Sequence, residues 1–143
     1  MDFVADYEDV ARVLFSPLFI CDGVLSQKAF TLEITSNESY ISVLRLSVPS
    51  FKADMEGIKK DGNILYGYAL LNVGEIREVR FEYSEPLRLD VLPRSAGRRK
   101  SHAGIFATVG NTKVKGGMPQ TVARMLLRMH LVGIAQKRIV KFN

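Results

Sequence analysis

The sequence predicts an α+β fold, a mostly antiparallel sheet of about five or six strands carrying two or three helices. Three observations lead there. The chain has 143 residues, one domain's worth, able to bury roughly two thirds of its unfolded surface. Short segments of alternating apolar and polar residues recur along it, divided by Gly, Pro, Asn and Asp, the pattern of half-buried strands joined by turns. Helical spacing is confined to a few dispersed places, and no repeat or long linker divides the chain, so residues 1–143 read as a single α+β domain.

Taken in order, residues 7–15 place Val10, Val13 and Leu14 at i, i+3, i+4 behind a cluster of acids, which predicts a short helix stopped at Ser16-Pro17. Asp22-Gly23 signals a turn, and residues 29–34 alternate through Phe30, Leu32 and Ile34 as a strand. The polar link at 35–38 suits a hairpin, with residues 40–48 as its second strand. Phe51, Met55 and Ile58 predict a short helix after Pro49-Ser50, ended by Asp61-Gly62-Asn63. Residues 64–73 form the most apolar stretch and predict a central strand buried on both faces. Asn72–Gly74 reads as a turn before a strand at 76–83. Leu87, Leu89 and Val91 alternate with Arg88 and Asp90, a strand with one wet face. Residues 93–101 read as a loop, 103–109 as a strand and 110–117 as a second, glycine-flanked loop. Residues 120–131 form the best helix, with Val122, Met125, Leu126 and Met129 as its inward stripe and Pro119 in its first turn. A short strand at 138–142 closes the chain.

Hydrophobic residues make up 47% and charged residues 24%, which excludes intrinsic disorder and low-complexity sequence. No apolar run approaches a membrane span. The start carries Asp2, Asp6, Glu8 and Asp9, the opposite of a basic secretory leader. Cys21 is the single cysteine, so a reducing, cytoplasmic compartment is expected. Its neighbours Phe19 and Ile20 predict a buried, inert thiol.

The net charge of +5 is unevenly spread. Residues 86–143 hold twelve Lys/Arg against Asp90 alone, a net +11, which leaves −6 on residues 1–85. A field of that kind attracts polyanions, phosphate backbones above all. An acidic first part folded against a basic second part would instead cancel much of it. The densest cations are Arg94, Arg98, Arg99 and Lys100, on a loop with Ser and Gly; arginine forks suit paired phosphate oxygens. An exposed loop kept soluble by charge is the alternative, and taken alone the segment favours it. Lys113 and Lys115 sit in the glycine-flanked loop before the best helix. That loop lacks the Gly-Lys-Ser/Thr of a nucleotide-binding loop, and no dinucleotide fingerprint occurs elsewhere, so no cofactor is expected. The two loops leave opposite ends of the strand at 103–109, which favours a broad stripe over a compact site.

His102 and His130 are the only histidines. His102 follows the cationic run, whose charges favour a neutral imidazole, but no neighbour in sequence orients it as a base. His130 lies beside the apolar stripe and reads as structural. With Cys21 isolated, no metal-ligand cluster assembles from spacing. Tyr66, Tyr68, Phe81 and Tyr83 lie on strand candidates, where they could stack nucleic-acid bases or simply pack a core.

Several pieces taken together resemble a group of small uncharacterised bacterial proteins: Asp22-Gly23 with Ser26 and Ala29-Phe30, Ile41-Ser42-Val43 with Arg45, Ser101-His102-Ala103 with Ile105, Ala123-Arg124, and Arg138-Ile139-Val140. The resemblance implies no activity, cofactor or substrate. It does imply that His102 belongs to a recurring element of Ser/Pro-His-Ala type at the start of a strand.

The leading expectation is therefore a small intracellular protein that engages nucleic acid or another polyanion through Arg94, Arg98, Arg99, Lys100, Lys113 and Lys115. A second is an assembly module that docks an acidic protein surface or another copy of itself. A third is an enzyme using His102 on a phosphorylated substrate, placed last because no pair of catalytic groups declares itself. No membrane partner and no metal are expected.

Overall fold

The structure, a computed structural model, describes residues 3–30, 33–34, 39–82, 86–94, 99–109, 112–113 and 121–142. The chain opens with β1 (Asp9–Ser16), where sequence spacing predicts a helix. Val10, Ala11, Val13, Leu14 and Phe15 are all buried, so both faces of the strand are covered. Such a strand carries a nearly continuous apolar run, and a continuous run satisfies helical spacing by coincidence. The nearby acids serve another purpose than helix capping: Glu8 pairs with Arg45 and Asp9 with Arg138.

Next come β2 (Ile20–Cys21) and β3 (Val24–Leu25), joined by Asp22 (φ 54°) and Gly23 (φ 76°). Two successive left-handed residues suit the tight hairpin turn that Asp-Gly predicts. The alternation of β2 buries Ile20 and turns Cys21 to solvent, correcting the expectation of a buried thiol. The strand predicted at 29–34 resolves into a 3-10 turn, Gln27–Phe30, which buries Ala29 and Phe30, and the short β4 (Glu33–Ile34). β4 pairs antiparallel with β5 (Ser39–Arg45), so the predicted hairpin forms, although its link at 35–38 lies outside the described residues.

Helix α1 (Phe51–Glu56) follows as predicted, burying Phe51 and Met55. β6 (Ile64–Asn72) lies one strand from the sheet edge and alternates in burial from Gly67 onward, rather than sitting at the centre with both faces covered. Asn72 caps α2 (Val73–Glu78) by accepting the Glu75 amide at 3.0 Å. The predicted turn is thus a helix start, and the strand expected at 76–83 shrinks to β7 (Arg80–Glu82). β8 (Pro86–Pro93) and β9 (His102–Val109) form the longest hairpin, with β10 (Thr112–Lys113) folding back on β9. α3 (Thr121–Gln136) runs past Gly133 to the final strand, β11 (Ile139–Lys141). Within the described part of α3, Leu131 and Ala135 face the core, whereas Met129 is 53% exposed and His130 is exposed too. The inward stripe therefore does not run through Met129, and His130 is not a core residue; the side chains of 121–127 lie outside the described residues.

The fold is α+β. Its main sheet has nine strands, in the order β11-β6-β1-β5-β9-β8-β7, with β4 beside β5 and β10 beside β9. Every pairing among the described residues is antiparallel. One apolar cluster joins the sheet to α1, α2, α3 and the 3-10 turn. Among the described residues no helix is long and apolar enough to cross a membrane.

Candidate functional site

β1 pairs with β6 along its whole length, but with β5 at only Val10↔Arg45 and Ala11↔Leu44. Beyond Ala11 the ladder between β1 and β5 stops. A cleft of about 280 Å³ lies there, lined from both strands by Arg12, Val13, Phe15, Tyr40, Ser42, Val43 and Leu44. Backbone groups freed by such a split need other partners. Arg12, only 8% exposed, supplies one on β5: its Nη1 donates to the Ser42 carbonyl at 2.8 Å, while its Nε donates to the Ala29 carbonyl of the 3-10 turn at 2.6 Å. This cation, set among the apolar residues of β1, bridges the gap in the sheet.

Further cations close the cleft from the loops. Lys59 and Lys60 follow α1, and Arg99 comes from the turn before β9; all three are exposed. Lys60 Nζ lies 5.2 Å and the Arg12 guanidinium 5.0 Å from the centre of the Phe19 ring, distances at which the ring's negative face attracts cations. Arg12, Lys59, Lys60 and Arg99 thus share one concavity, which no aspartate or glutamate among the described residues lines. Four cations gathered on one concavity suit an anion with several oxygens.

The wall formed by β5 and β9 carries the polar chemistry. Their register sets Ser42 against Gly104 and Leu44 against His102, so Ser42 and His102 are diagonal neighbours on one face. Ser42 Oγ and His102 Nε2 are 2.6 Å apart. The Tyr40 ring lies beside the imidazole, centroids 5.9 Å apart.

The turn presenting Arg99 and His102 is anchored from behind. The buried Asp54 of α1 accepts Ser101 Oγ at 2.6 Å, the Ser101 amide at 3.1 Å and Ser50 Oγ at 2.8 Å. Burial alone would raise the Asp54 carboxyl; the Ser101 and Ser50 donors and the nearby Arg99 charge outweigh it and hold the group below its ordinary value. The Arg45 amide donates to the Ser101 carbonyl at 2.8 Å, and the Arg94 amide to the His102 carbonyl at 2.7 Å.

Of the six cations predicted from sequence, Arg99 lines the cleft. Arg94 is half-buried, its guanidinium 4.8 Å from the centre of Tyr40, and Lys100 is exposed on the same turn as Arg99. Arg98 and Lys115 lie outside the described residues. Lys113 is at the other end of β9, paired with Thr108, about 20 Å from His102 along the strand. Arg138 is occupied by Asp9, at 2.8 Å.

Spacing alone did not single out Arg12, Ser42, Lys59, Lys60 or Phe19. The available signals were an arginine inside an apolar run, a serine between Ile41 and Val43, and a lysine pair after a short helix. Among the described residues no group of three or more His, Cys, Asp and Glu could hold a metal ion. Comparison with protein-family models, curated proteins and solved structures finds no match to this chain.

Proposed function

We propose that the protein binds a phosphomonoester in this cleft. Arg12 forms the base, Lys59, Lys60 and Arg99 take phosphate oxygens at the mouth, and Ser42 and His102 meet the group at the wall. The observation carrying this reading is the convergence of four cations on one concavity that no carboxylate among the described residues lines. The cleft, at about 280 Å³, falls near the lower end of ligand pockets, roughly 300–1,000 Å³, so it suits a small phosphorylated molecule or one terminal nucleotide and not a duplex. Arg94 and Lys100 lie at the same end of β9. An oligonucleotide whose terminal phosphate enters the cleft is therefore the form in which the polyanion reading fits best.

The test is calorimetric titration with inorganic phosphate, and with short single strands bearing either a 5′-phosphate or a 5′-hydroxyl, at two salt concentrations. Binding of phosphate and preference for the phosphorylated strand are expected. Replacing Lys59 and Lys60 together by alanine should weaken both by about tenfold or more, since one charge-assisted contact contributes about 1.5–3 kcal/mol. Phosphate binding without any preference between strands favours a small-molecule ligand. Absence of phosphate binding, or indifference to loss of both lysines, overturns the proposal.

A further inference from the structure

The cations explain why a phosphate would enter the cleft, but not why a serine hydroxyl and an imidazole nitrogen meet there at 2.6 Å. A serine hydroxyl attacks poorly until a base within hydrogen-bond reach takes its proton. His102 Nε2 is within that reach, and both groups line the cleft. The contact is built into the sheet: diagonal positions on paired strands fix it through the β5–β9 register. Its surroundings restrain both partners. Arg12 holds the Ser42 carbonyl at 2.8 Å, and Tyr40 packs beside the His102 ring. Tyr40 fits there because residue 104 is glycine, where a Cβ would come within 3.0 Å of both the Tyr40 and Phe106 rings.

Resting on the phosphomonoester reading, we infer that Ser42 is a nucleophile toward phosphorus and His102 its general base. In the first half-reaction Ser42 Oγ attacks phosphorus and its proton passes to His102 Nε2. The bond from phosphorus to the leaving oxygen breaks on the side away from Ser42, and that oxygen takes a proton from water. The cations lining the cleft bind the non-bridging oxygens as charge redistributes over them. In the second half-reaction water attacks phosphorus from the vacated side, and the bond from phosphorus to Oγ breaks. His102 returns its proton to Oγ, and the proton released by the attacking water balances the one taken by the leaving group. The products are an alcohol and inorganic phosphate, and no oxidant or reductant is required.

The experiment uses p-nitrophenyl phosphate as the probe, with the full chain and its Ser42→Ala and His102→Asn variants, each checked for an unchanged circular dichroism spectrum. Inorganic phosphate binding is measured in parallel. The wild type should release nitrophenolate and phosphate, and acid quenching should trap a phosphoryl group on Ser42, located by peptide mass spectrometry. Ser42→Ala should abolish turnover and the trapped adduct. His102→Asn should slow turnover by about a hundred- to ten-thousandfold. If phosphate binds but the wild type shows no turnover, or Ser42→Ala turns over at the wild-type rate, the nucleophile assignment fails and the binding proposal stands. If phosphate does not bind the wild type, the binding proposal itself fails.

Discussion

Replacing Glu8 by glutamine tests the electrostatics that hold the start of the chain to the sheet. Glu8 is 8% exposed and accepts Arg45 Nε and Nη2, each at 3.0 Å, the Ala5 amide at 2.9 Å and Ser47 Oγ at 2.8 Å. Burial alone would raise its pKa. The donors, Arg45 foremost, outweigh that and lower it from 4.5 to about 2. A difference of about 2.5 pH units, at roughly 1.36 kcal/mol each, corresponds to about 3 kcal/mol of folding stability. Because the folded-state value is depressed, that stability is fully present above about pH 4.5 and disappears as the pH falls toward 2. Glu8→Gln keeps the side chain's shape but removes its charge, which leaves the buried Arg45 guanidinium facing an amide. Urea denaturation at pH 7 should show a loss of about 3–4 kcal/mol, in the range for breaking a buried pair from one side. At pH 3 the gap between wild type and variant should shrink to less than half. A gap below about 1 kcal/mol at pH 7, or one equally large at pH 3, would refute the reasoning.

Other substitutions probe separate parts of the structure. Asp54→Asn weakens the anchor of the turn carrying Arg99 and His102; a cost of about 1–3 kcal/mol and faster exchange of the Ser101 amide are expected, and unchanged exchange would contradict the anchoring role. A Cβ at Gly67 would overlap the Val140 carbonyl, so Gly67→Ala should displace β11 and expose the amides of Val140 and Phe142, the ones turned toward β6, to exchange. Their full protection would show that the edge strand adapts. Leu131→Ala should cost about 2–5 kcal/mol, whereas Met129→Ala should stay within about 0.5 kcal/mol; comparable costs would mean that α3 presents a different face to the core.

Where local pattern suffices, the fold is legible in the sequence. The strict alternation of Leu89, Asp90 and Val91, the Asp22-Gly23 turn and the spacing of Phe51 and Met55 each specify their element without help from distant residues. β1 is not legible in that way, because a strand covered on both faces loses its alternation. α2 hid behind its own cap, since Asn72 serves a turn and a helix start equally well. The cleft was harder still. It exists because pairing between β1 and β5 ends after Ala11, and a pairing that stops leaves no mark in composition. Charge density along the chain drew attention to the C-terminal cations, yet three of the four that converge, Arg12, Lys59 and Lys60, belong to the net-acidic first part. Likewise, Ser42 and His102 are sixty positions apart and meet only through strand register.

Chemical-shift mapping by NMR during titration with inorganic phosphate tests the central claim most directly. The account predicts one saturable set of shifts, concentrated at Arg12, Ser42, Lys59, Lys60, Arg99 and His102, with Thr112 and Lys113 left in place. Shifts spread along the C-terminal cations, or confined to Thr112 and Lys113 while the cleft stays still, would contradict it.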